Sequence, residues 1–383
     1  MSPKIYLDWN STSPLHPTVQ ASIKSALSHY GNPSSLHQTG QASRELIETA
    51  RDKVAALIGA HPHQIIFTSS GSEANNMVIK HPFASTPRTS PLPRIITTSI
   101  EHSSILTPCQ FLSQTHAQPV TYLAPTPQGI ITPESLASEI TPDTAIISIM
   151  MANNETGSIN PIDTLSQVNR PKNTLFHTDA TQAAGKLPIN VHDLNIDLLT
   201  LSAHKIQGPK GIAALYIRKD DLLTPLLHGG SQEQRLRAGT ENLLGIIAFG
   251  IAADLAKANQ DSNTAHSAQL KSQLIAGLSQ IDNIHINTPE NSLPNTLNIS
   301  ILGIPAEAMV MRMDQEGVEI STGSACSTGS TEPSHVLKAI TTSKDIQMSA
   351  IRISIGSTAT SQEIDAVMTL FKTIIPKLRQ HHA

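Results

Sequence analysis

Cysteine is nearly missing from this chain of 383 residues: Cys109 and Cys326 are the only two, far apart, and they offer no disulfide framework. An excess of positive charge is missing as well. Lys and Arg number 26 against 30 Asp and Glu, so no basic stripe carries phosphate-backbone affinity, and nucleic acid is not expected as a direct ligand. No apolar run approaches the roughly 20 residues that span a bilayer. The opening MSPKIYLDWN lacks the apolar core of a signal peptide, so the expectation is a soluble, cytoplasmic protein with no membrane partner. The 17 His residues are mostly scattered singly, as at His29, His81, His116 and His192, and none builds a HExxH helix or a paired Cys/His array. No metal site is expected. Repeats and linker signatures are absent too, and the Pro- and Ser-rich stretch Ala84 to Pro93 reads as a surface loop.

What the chain does hold is enough length for a large core. Short β-branched runs at Ile65–Thr68, Arg94–Thr98, Ala145–Met150 and Asp197–Leu201 read as buried strands. Between them lie segments of helical period. In Gln41 to Gly59 the residues Ala42, Leu46, Ala50, Val54, Leu57 and Ile58 share one face, and Gly59 supplies a stop. Such alternation predicts an α/β fold with a mainly parallel sheet covered on both faces. Beyond it, amphipathic stretches at Asn242–Ala258 and Ala265–Ile281 lead to strands at Asn295–Ser300 and Ile351–Ile355, closed by a helix from Ser361 to Arg379. This predicts a second, smaller α+β domain.

Three constellations carry chemistry. Thr68-Ser69-Ser70-Gly71-Ser72-Glu73 joins a strand to a helix, where free amides, a permissive Gly and a hydroxyl make an anion cradle; the same residues also cap helices for structural reasons alone. His177-Thr178-Asp179-Ala180-Thr181-Gln182 and Ser202-Ala203-His204-Lys205 each follow a strand, so Asp179 and Lys205 point into the crevice where open α/β sheets bind ligands. An Asp for a pyridinium nitrogen and a Lys for a Schiff base are the two protein groups that pyridoxal phosphate most requires. A strand-end turn would account for Asp179 alone, and a surface charge for Lys205 alone; the pair downstream of an anion cradle is harder to explain so. In Ser321 to Ser330, Cys326 is embedded in Ser, Thr and Gly, a setting for an accessible nucleophile, whereas Cys109 in Thr107-Pro108-Cys109-Gln110-Phe111 reads as core packing. Arg352, alternating with Ile351 and Ile353, is a carboxylate grip or an edge-strand charge.

These residues resemble the cysteine desulfurase family of the class-V aminotransferase superfamily, over nearly the whole chain from Tyr6-Leu7-Asp8 to Ile351–Gly356. Ser202-Ala203-His204-Lys205, His177 to Gln182, Asn153-Asn154-Glu155-Thr156-Gly157 and Gly323-Ser324-Ala325-Cys326 are its most specific pieces. The resemblance implies a homodimer of fold type I, the aspartate aminotransferase-like architecture, with a large domain at 16–258 and a small one formed by 1–15 and 259–383 that carries the Cys loop. It implies that Lys205 holds pyridoxal 5'-phosphate, Asp179 pairs with the ring nitrogen, His102 stacks on the ring and moves protons, and Gln182 meets the ring oxygen. Gly71, Ser72, Ser202 and His204 would hold the phosphate, with Thr240 reaching it from the other subunit. Asn154 and Arg352 would bind the carboxylate of L-cysteine, and Cys326 would take its sulfur as a persulfide, releasing alanine. The spacing from Cys326 to Pro333-Ser334-His335-Val336-Leu337 matches the group with a long, mobile catalytic loop, which hands sulfur to an acceptor protein such as an iron–sulfur scaffold or a thiolation relay.

This chain departs from the family in four places. Gly71-Ser72 stands where Ala-Thr is common, Ser231 where a third Gly is frequent, and Ser357 where an Arg often follows the last strand. The chain closes on Gln380-His381-His382-Ala383 without the longer tail by which housekeeping members engage a scaffold, which leaves the acceptor open.

Overall fold

The computed structural model describes residues 4–85, 92–219, 222–323 and 332–382. Its central layer is a seven-stranded sheet made of β2 (Ile65–Thr68), β3 (Arg94–Thr98), β4 (Val120–Leu123), β5 (Thr144–Ser148), β6 (Leu175–Asp179), β7 (Leu198–Ser202) and β8 (Ala213–Ile217). The strand order is β2-β8-β7-β6-β5-β3-β4. Pairing is parallel from β7 through β4, while β8 runs antiparallel to both neighbours. Strands such as β7 and β8 are buried at every residue, as a sheet covered on both faces requires.

The expected helix over 41–59 is found as Gln38–Leu57. Its buried stripe of Ile47, Ala50, Val54 and Leu57 packs on the helix Leu243–Ala258. Gly250 permits that approach, since a Cβ there would lie 2.6 Å from the Cα of Ala50. The strand expected over 145–150 ends earlier, at Ser148, because the Met150 amide donates to the Glu101 carboxyl instead of to a ladder partner. The loop expected over 84–93 is shorter as well: Ala84 and Ser85 still belong to the helix Gly71–Ser85, since neither residue opposes helix and the next proline is Pro87. Residues 86–91 of that stretch lie outside the described residues.

The remaining strands form the smaller layer. β10 (Thr296–Ile301) lies between β9 (Ile284–Ile286) and β12 (Ala350–Ser354), antiparallel to both. β1 (Ile5–Tyr6) runs parallel with β11 (Val318–Glu319). Helices Gln260–Leu278, Ala306–Gln315 and Ser361–His382 contribute to a core of their own, with Leu270, Leu274, Leu297, Ile353 and Phe371. The N-terminal Leu7 belongs to this core. Trp9 presses on the backbone after β12, where any side chain at Gly356 would overlap the indole. No helix among the described residues is long and apolar enough to cross a membrane.

Candidate active site

The parallel strands deliver their C-terminal ends to one cavity of about 460 Å³. His102 arrives after β3, Asn154 after β5, Asp179 at the end of β6, and Ser202, His204 and Lys205 from the end of β7 and the turn that follows. Gly71 and Ser72 open the helix after β2, and their amides have no acceptor within that helix. Gln182 and Arg352 complete the lining. Ten residues singled out from the sequence therefore share one space. Of the other two, Cys326 lies outside the described residues, and Thr240 is exposed and off the lining. Arg237, in the same segment as Thr240, pairs at 2.9 Å with Glu73 in the first turn of the Gly71 helix, which ties that segment to the rim.

Lys205 Nζ donates to the backbone carbonyls of Asn10 and, at 2.8 Å, Ser11. Asp179 is 7% exposed; one carboxylate oxygen accepts from Asn75 Nδ2 at 2.8 Å and the other from the Thr181 amide at 2.9 Å. His102 caps the helix Ser103–His116, its Nδ1 accepting from the Ser104 amide. Burial foremost holds this imidazole below its usual range, Lys205 and His335 add to that, and Asp179 works against it. The helix N-terminus acts in the same sense as the burial. A neutral ring with Nδ1 as acceptor carries its proton on Nε2. His204, whose ring contacts Thr12 Oγ1 at 3.1 Å, is pushed down to about 4 by burial and by Lys205 and Lys210.

Arg352 is not an edge-strand surface charge: it is 2% exposed. Its Nη2 donates to Asp8 Oδ1 at 2.6 Å and Ser11 Oγ at 2.7 Å, and its Nη1 to the Asn154 carbonyl at 3.0 Å. A lysine cannot serve these three acceptors from one point. Arg352→Lys should therefore lower the free energy of unfolding by about 1–3 kcal/mol, read from the urea midpoint at constant m.

The cavity also contains residues that sequence reasoning passed over. Asn75 bridges Asp179 and Ser104, 104 and 29 positions away. His335 Nε2 donates to the Glu101 carbonyl at 2.9 Å, a partner 234 positions upstream. No local pattern marks such pairs. Glu101 itself is fully buried; Oε1 accepts from Thr98 and Met150, and Oε2 has no partner among the described residues. Burial, the largest cause, pushes its carboxyl up to about 8. A carboxyl whose folded value is raised favours folding at low pH, and that contribution is lost as pH rises from the unfolded value toward 8. Glu101→Gln removes the ionisation. Relative to wild type, the variant should gain about 1–3 kcal/mol of unfolding free energy between pH 5 and pH 8.5 by chemical denaturation.

These residues fit pyridoxal phosphate. The volume suits a small cofactor with its substrate. The amine, the carboxylate and the helix N-terminus stand around one space, and the buried Asn75 Oδ1 on its wall is without a partner among the described residues. A Cβ at Gly71 would meet nothing nearer than 3.5 Å, so the cradle has room for the alanine common in the family and does not depend on glycine. Cys109, by contrast, is core: it is buried beside Ile79, Ile95, Ile105 and Leu112, and burial raises its thiol to about 12.

A parallel sheet with antiparallel β8, a lysine after β7 and an aspartate ending β6 define a pyridoxal-phosphate-dependent enzyme of fold type I. The sequence matches the class-V aminotransferase family over residues 5–367. It is 43% identical to cysteine desulfurase IscS of Dictyoglomus turgidum, over 99% of this chain and 96% of that protein. It is 41% identical to cysteine desulfurase IscS of Methanosarcina thermophila, over 98% of this chain and 93% of that one. Among solved structures, a NifS-like protein superposes with a TM-score of 0.92 at 34% identity, covering 98% of this chain and all of that one. SspA in complex with cysteine superposes at 0.80 and 35% identity, over 93% of this chain and all of that one. The chain belongs to the cysteine desulfurases of the class-V aminotransferase family.

Proposed function

We propose that this protein converts L-cysteine to L-alanine and passes the sulfur on from Cys326. The observation that carries the reading is the single cavity in which Lys205, Asp179, His102 and Arg352 meet. Pyridoxal phosphate, when bound, supplies the electron sink that stabilises negative charge at the substrate α-carbon.

The chain's own residues supply the rest. Lys205 Nζ, steered by two backbone carbonyls, is the amine that would hold the cofactor and would serve as the base for the substrate α-proton. Asp179 keeps negative charge at the end of β6 for the ring nitrogen, with Asn75 and Thr181 preventing its rotation. His102, neutral and protonated on Nε2, would lie against the bound cofactor and would exchange a proton with the substrate thiol or with Cys326. The Gly71 and Ser72 amides, Ser202 and His204 receive the phosphate, joined by Thr240 of the partner subunit in a homodimer. Gln182 meets the ring oxygen, and Asn154 with Arg352 receives the substrate carboxylate. The Cys326 thiolate attacks the substrate sulfur; an S–S bond forms, the C–S bond breaks with its electron pair left on the β-carbon, and protonation there together with return of the α-proton yields alanine.

The domain division at 1–15 with 259–383 against 16–258 is supported by the separate core that Leu7 shares with Leu270 to Ile375. We read the acceptor of the persulfide as a protein, an iron–sulfur scaffold or thiolation relay, and the site of action as the cytoplasm.

The test is stoichiometry. With pyridoxal phosphate, L-cysteine and a dithiol reductant, alanine and sulfide should appear in equal amounts. Pyruvate in place of alanine, or amino-group transfer to an added 2-oxo acid, overturns the proposal.

A further inference from the structure

A second cavity, of about 440 Å³, lies in the cleft between the two halves and, among the described residues, shares only Lys205 with the first. Its walls come from Lys186 and its neighbours, the junction of helices Leu243–Ala258 and Gln260–Leu278, and the turn after β12. We propose that this cleft is a binding site for a small organic anion whose acidic head pairs with Lys186.

Charge is the first argument. Among the described residues no Asp or Glu lines the cavity, whereas Lys186, Lys205 and His16 do. Lys186 has no carboxylate partner among the described residues; Nζ donates to the carbonyl and Oε1 of Gln182, at 2.9 and 3.2 Å. A cation removed from water with only neutral acceptors is costly, and a bound anion offsets that cost. Shape is the second. Asn259, Asn263, Ser267, Ser357 and Thr358 offer neutral hydrogen-bonding groups around the rim, and Trp9, Leu255 and Ile355 an apolar wall for the body of the ligand. Ser357 is the position where an Arg is frequent in the family; the short side chain leaves this space open. The site stands whether or not the reading of the first cavity does.

Burial, with Lys205 and Arg352 adding to it, brings Lys186 down to about 7. The anion binds the ammonium form, so affinity should fall as pH rises above about 7, by up to tenfold per unit. Inorganic phosphate and butyrate are suitable probes, titrated calorimetrically into the holoenzyme, whose cofactor phosphate site is already filled. Two variants decide the matter. Lys186→Met removes the cation. Ser357→Asp leaves Lys186 in place and sets a carboxylate in the same cavity, and it remains decisive if the first variant fails to fold. Each should weaken both probes by about tenfold or more. Wild-type affinity in a folded Ser357→Asp protein, affinity unchanged from pH 6 to 9, or no binding to the wild-type protein overturns the proposal.

Discussion

Lys205→Ala should give a folded protein without the visible absorbance of a lysine-linked cofactor and with desulfuration lowered by about 10⁴-fold or more. Lys205 Nζ is the amine set between the Asn10 and Ser11 carbonyls on the wall of the cavity. Both acceptors are neutral backbone carbonyls, and Gln182 Nε2 also donates to that of Asn10, so losing the ammonium leaves no buried charge behind. Folding should survive, which near-wild-type circular dichroism checks. Retained visible absorbance would place the covalent link elsewhere. Lys186 is the amine to examine next, since Gln182 Nε2 and Lys205 Nζ both donate to the Asn10 carbonyl while Lys186 holds the other end of Gln182.

Cys326→Ala is the second large effect, and it separates a desulfurase from an aminotransferase built on the same fold. The cofactor contacts assigned to Lys205, Asp179, Gly71 and Ser202 do not involve the thiol, so cofactor absorbance and its shift on adding L-cysteine should persist. Alanine formation should fall by about 1000-fold, equal to some 4 kcal/mol of transition-state stabilisation. Unchanged alanine formation would remove Cys326 from the chemistry. A protein that still bound cysteine but released no sulfide would place the thiol after substrate binding, as proposed.

Strand existence was readable wherever an uninterrupted β-branched run met turn residues, as at β2 and β3, whose ends coincide with the sequence reading. It was less readable at β5, where the apolar run continues through Ile149 and Met150. There the amide of Met150 had a better acceptor in Glu101, a choice made 49 positions away. The same limit governs the site. Lys205 and Asp179 announce themselves because a strand end is a local feature and fold type I puts strand ends in the crevice. Asp8 does not: its tie to Arg352 spans 344 positions and exists only because the N-terminal segment joins the second hydrophobic core through Leu7.

Composition and local pattern by themselves determined the α/β class, the strand-end lysine and aspartate, the core position of Cys109 and the absence of a disulfide framework, because each rests on spacing within a few residues or on residue counts. Tertiary structure alone decided that Arg352 is a buried hub, that Glu101 is a carboxyl forced upward by burial, and that Lys186 faces a cleft with no acid among its described lining residues. Burial and pairing depend on what the rest of the chain brings alongside, and no window of neighbouring residues contains that information.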